Sequence, residues 1–138
     1  MTTEQLLKPD QAGVCAVNGD PISLLEACES AGFKVFDLRL DGAATRKELL
    51  KTCYKTFKFP EHFGRNWDAL RDCLFDLDEA DGYAVWINET DDLETDVLER
   101  FLDVLRDVAE MWRDEGRPFW AFCENRVGRQ FDLPWVLG

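Results

Sequence analysis

The residue pattern predicts an α/β fold in which a parallel sheet is covered by helices. Two observations carry this. Short apolar runs, FKVFDLRL at 33–40, YAVWIN at Tyr83–Asn88 and FWAFC at Phe119–Cys123, alternate with longer stretches of helical periodicity. The run YAVWIN is also apolar almost without interruption, the mark of a strand buried on both faces, as parallel sheets require. With 138 residues, 46% apolar and 12% aromatic, the chain has the size of a single domain and enough apolar surface for a full core.

In chain order, the apolar run at 13–17 reads as an edge strand. A helix follows, with Asp20 as its cap, Pro21 at its first position and Gly32 at its end. The strand at 33–40 comes next. Thr45 and Glu48 have capping-box spacing and open a helix that buries Leu49, Leu50, Cys53 and Phe57. A second helix spans 66–77. After the polar residues DEADG comes the strand at Tyr83–Asn88, then a long helix over 93–115 whose apolar stripe runs from Val97 to Trp112. Gly116 and Pro118 stop that helix ahead of the last strand. In the tail, Trp135 either tucks onto the domain or seats a second chain.

The stretch FPEHFGRNWDALRDCLFDL, from Phe59 to Leu77, is the richest in chemistry. At about 100° per residue, Trp67, Leu70, Cys73, Leu74 and Leu77 share one arc, while Asp68, Asp72 and Asp76 stack at i, i+4 and i+8 on nearly the opposite arc. Carboxylates four apart repel by roughly 0.2–0.5 kcal/mol per pair, so the row asks for a cationic partner. Pro60 restrains the approach, Gly64 permits a turn with positive φ, and Asn66 is placed to cap the helix. Loop and helix together form one presenting surface.

In this run Pro60, Glu61, Gly64, Asn66, Asp68, Ala69, Leu70, Asp72, Cys73 and Leu74 fall in the pattern of the barstar family, intracellular inhibitors of the ribonuclease barnase, which the chain resembles over about 33–124. The resemblance implies a barstar-like parallel sheet of three core strands flanked by helices, to which 13–32 adds an N-terminal strand and helix. Residues 125–138 form a C-terminal tail outside it. It also implies a partner, a basic barnase-like ribonuclease bound one to one, and a role for Asp72: entering the nuclease site and pairing with the bases that hold RNA phosphate. A carboxylate suits this because its two oxygens accept paired hydrogen bonds from arginine much as phosphate does. By the same resemblance Asp68, Asn66, Gly64 and Glu115 match contact positions, and Trp67 and Asp76 extend the surface. On residue type alone Asp72 reads as a solvated acid, Gly64 as a turn glycine, Asn66 as a cap and Glu115 as a helix-end acid.

Several positions depart from the family. His62 and Arg71 stand where the family has aromatics, as does Leu77; Met111 and Arg65 each replace an acid. The phosphate mimic survives and its rim is rewritten, so the expected nuclease differs from barnase around a similarly basic site. The alternative is a barstar-like immunity or adaptor protein with a partner that is not a ribonuclease.

Other classes fare worse. A net charge of −12 disfavours direct binding to nucleic acid and favours a basic partner through long-range steering. Lys47, Lys51, Lys55 and Lys58 make a basic stripe that reads as a solvated helix face. Five irregularly spaced cysteines fit neither a disulfide framework nor a zinc ribbon and read as small buried groups in a reducing compartment. With one histidine, no nucleophile elbow and no phosphate-binding glycine loop, neither catalysis nor a metal or cofactor is expected. The chain shows no signal peptide and no membrane-length apolar run, so a cytoplasmic protein is expected.

Overall fold

The computed structural model describes residues 1–137. Five parallel strands form one sheet in the order β2-β3-β4-β1-β5: β1 Val14–Asn18, β2 Lys34–Arg39, β3 Tyr83–Asn88, β4 Phe119–Cys123 and β5 Trp135–Leu137. The helices are α1 Thr3–Leu6, α2 Pro21–Ser30, α3 Arg46–Thr56, α4 Trp67–Leu74, α5 Thr95–Asp114 and α6 Asn125–Gln130. A 3-10 turn occupies Pro9–Gln11.

Alternation along the strands sends side chains to opposite faces, and each face builds its own core. On one side Cys15, Val17, Trp120 and Phe122 meet Leu6 of α1 and Leu24 and Cys28 of α2, and Trp120 Nε1 donates to Leu6 O at 2.9 Å. On the other, Val14, Val85, Ile87, Ala121 and Cys123 meet α3, α4, α5 and α6, with Phe101, Leu102, Val104 and Leu105 fully buried.

Local chemistry sets most boundaries as expected. Asp20 accepts from Ile22 N and Pro21 opens α2. Thr45 and Glu48 close the capping box of α3, and hydrogen bonds from the Thr45 hydroxyl and the Ala44 and Thr45 amides hold the Glu48 carboxyl below its usual range. Gly32 and Gly116, at φ +87° and +75°, terminate α2 and α5.

The sheet departs from the expected plan at one end. It has five strands rather than four, because the tail folds into α6 and β5. Strand β1 is therefore internal, paired with β4 (Val14↔Ala121) on one side and with β5 (Ala16↔Trp135) on the other. The three-residue β5 has too few residues for its periodicity to be read. Close approach makes this end possible: Gly128 on α6 is buried against β1, and a Cβ there would collide with Ala16 Cβ and lie 3.1 Å from the Trp135 ring. Trp135 thus packs on its own chain, still about half exposed. Gly128→Ala is expected to lower stability by about 1–3 kcal/mol through overpacking. Urea unfolding checks this, and an unchanged midpoint would show that α6 is not packed this tightly.

Candidate functional site

Helix α4 has eight residues, too few to be stable alone in water, so its position is set by what holds it. Leu70 and Leu74 are fully buried. At its C-terminal end Trp112 Nε1 of α5 donates to Leu74 O at 3.0 Å, and Phe75 packs on the Trp112 ring at 4.9 Å. At its start, Asn66 Oδ1 accepts from Ala69 N at 2.7 Å. These anchors fix which way the remaining side chains face.

The loop before α4 is ordered by aromatics. Phe57, Phe59 and Phe63 are buried and in ring contact, with centroids 5.4 Å and 5.0 Å apart along the series. Gly64 does not supply the positive φ expected of it; Lys58 (+55°) and Arg65 (+50°) do. Arg65 compensates by placing its guanidinium 5.2 Å from the Tyr54 ring centroid.

Loop and helix enclose an open hollow of about 550 Å³ lined by Pro60, His62, Phe63, Gly64, Ala69, Asp72, Cys73, Phe75 and Asp76. Its floor is aromatic and its charged groups are the carboxylates of Asp72 and Asp76. Both are exposed, and among the described residues neither carboxylate receives a hydrogen bond or ion pair. Burial, with the Asp76 and Asp72 charges beside it, raises the pKa of the Cys73 thiol.

The predicted row of three carboxylates is only partly realised. Helix α4 ends at Leu74 rather than Leu77, so Asp76 is not the next helical step; its amide bonds to Cys73 O at 3.1 Å just past the cap Phe75. It nevertheless reaches the same hollow as Asp72. Asp68 does not. It is 85% exposed but accepts from Arg71 Nη1 at 3.2 Å, and Arg71 Nη2 reaches Asp107 Oδ2 of α5 at 3.1 Å.

The other expected positions are dispersed. His62 and Gly64 line the hollow. Asn66 is exposed and is not among the lining residues; both ends of its side-chain amide are engaged, Nδ2 donating to Gly64 O at 3.4 Å. Half-buried Trp67 packs on the core and lines a second hollow with Thr45, Lys47, Glu94 and Arg100. Glu115 caps α5, exposed, three residues past Trp112. Asp107 and Phe75 were not anticipated: Asp107 acts through a pairing of helices 36 positions apart along the chain, from 71 to 107, and Phe75 falls outside the apolar arc read for this helix, at an angle close to that of Asp68. Cys73 is half-buried, unlike the other four cysteines, and all five are free thiols. The basic stripe is exposed, with Lys58 lying beyond the end of α3. Among the described residues no three His, Cys, Asp or Glu converge to hold a metal, and no helix is long and apolar enough to cross a membrane.

A family model described as barstar, the barnase inhibitor, matches residues 33–124, two thirds of the chain. The chain belongs to the barstar family. Barstar-family proteins are inhibitors and not enzymes, and this chain is likewise not an enzyme. Comparison with curated proteins returned no match. The matched span holds β2, β3 and β4 with α3, α4 and α5, and so contains every wall of the hollow; β1 and β5 lie outside it.

If Asn66 secures the barstar-like loop as its bonds indicate, Asn66→Ala should cost about 1 kcal/mol of stability. Denaturant unfolding would show it. A loss of under a few tenths would mean that the aromatic series alone orders this corner.

Proposed function

We propose that this chain inhibits a small basic ribonuclease, binding it one to one and occupying its active site with α4 and the loop before it. Asp72 carries the reading. Its carboxylate is exposed, lacks an intramolecular partner and stands over an apolar floor at the centre of the loop-helix surface. A nuclease that cleaves RNA must hold phosphate with cations, and a carboxylate fixed on a packed helix offers those cations two acceptor oxygens. The net charge of −12 would speed the encounter with such a basic partner. Inhibition by occlusion requires no chemistry from the inhibitor, in keeping with a non-catalytic family.

His62, Asn66, Gly64 and Asp76 border Asp72, while Asp68, Arg71, Trp67 and Glu115 form the outer contacts. An immunity or adaptor role toward a partner that is not a ribonuclease is the second reading, favoured by the rewritten rim, above all by Arg71. Activity within the producing cell's cytoplasm follows from either reading.

Asp72→Ala should weaken binding to the cognate nuclease by about 2 kcal/mol or more, within the range of charged hot spots, of which an aspartate of barstar is itself a known extreme. Calorimetry measures this, with urea unfolding of the variant as the control for folding. A loss no greater than that of Glu115→Ala would refute the assigned plug.

A further inference from the structure

We infer that Arg71 is a specificity-determining residue: it occupies the Asp68 carboxylate and leaves Asp68 a rim contact, so that the hollow takes one guanidinium on Asp72 and Asp76 alone. The inference rests on the proposed binding surface and names the acceptors within it.

The geometry is specific. Arg71 is 28% exposed, with Nη1 on Asp68 of its own helix and Nη2 on Asp107 of α5. Its Nε is buried and has no hydrogen-bond partner. An i,i+3 ion pair alone is weak and would yield to an incoming cation. Here the second carboxylate, on a different helix, restrains the guanidinium, and each of its two terminal nitrogens already has an acceptor. The three groups carry a formal charge of −1 together, whereas Asp72 and Asp76 carry −2 with no resident cation. A cation arriving at Asp68 must compete with Arg71; one arriving in the hollow meets no such competitor.

The hollow also suits the stem of an arginine. Phe63, Phe75 and Pro60 supply an apolar surface for the methylenes, while the carboxylates of Asp72 and Asp76 are open to water and to a ligand. Arg71 thereby moves the acceptor pair from Asp68 and Asp72, which lie on successive turns of α4, to Asp72 and Asp76, which flank its C-terminal end.

Titration of the ¹³C-labelled full chain with methylguanidinium, following side-chain carboxyl carbons by NMR, tests this without any nuclease. The expected result is shifts at Asp72 and Asp76 at least threefold larger than at Asp68, and a rise of the Asp68 response to match Asp72 in Arg71→Met. Equal responses in the wild type, no response at Asp72 and Asp76, or an Asp68 response unaffected by Arg71→Met would overturn the inference. Asp107→Asn provides a second variant that keeps Arg71 and is expected to raise the Asp68 response partway; no rise counts against the clamp. In the wild type the Arg71 Nη resonances should be separated by hindered rotation, and a single averaged signal would also count against it. Failure of every basic ribonuclease to bind would instead refute the proposed function, leaving the order of carboxylates decided by the titration.

Discussion

Everything at the candidate surface depends on the fastening of α4 to α5. An eight-residue helix has little stability of its own, and here it is held by the burial of Leu70 and Leu74, by the Trp112 Nε1 bond to Leu74 O and by Arg71 reaching Asp107. Turning Leu70 and Leu74 inward necessarily turns Asp72 outward, because the two arcs of one helix cannot be oriented independently. The carboxylate is thus positioned by a core it does not touch. That rigidity matters for recognition, since a side chain on a held helix loses less freedom on binding than one on a loose loop.

The approach loop obeys a similar logic. Lys58 and Arg65 adopt a backbone region that non-glycine residues rarely enter, and the contacts around them supply compensation: the Phe57, Phe59 and Phe63 rings, and Arg65 over Tyr54. The hollow therefore has a fixed wall on the loop side and another on the helix side. Its acidity is local as well as global, because Arg71 pairs with Asp68 and Asp107 and leaves Asp72 and Asp76 as the unpaired charges of the hollow.

Where periodicity or capping chemistry is strong, sequence and structure agree closely. Strands β3 and β4, the capping box of α3, the Asn66 cap and the Gly116 stop all lie where residue type places them, since each depends on neighbours within a few positions. What escaped was set by contacts distant along the chain. The place of β1 within the sheet depends on β5, and β5 on the fit of Gly128 against Ala16 and Trp135. The early end of α4 coincides with the Trp112 bond to Leu74 O, and Arg71, three residues from Asp68, is also tied to Asp107 of α5. Gly64 misled because its residue type allows positive φ without requiring it.

The most direct test of the account is competition on the cognate nuclease between this protein and a mononucleotide that occupies the phosphate-binding cations. If Asp72 takes the place of substrate phosphate, the apparent dissociation constant should rise in proportion to mononucleotide concentration once the nucleotide is above its own dissociation constant, with no ternary complex. An affinity that does not change at saturating nucleotide would contradict the account, for the two ligands would then occupy different places.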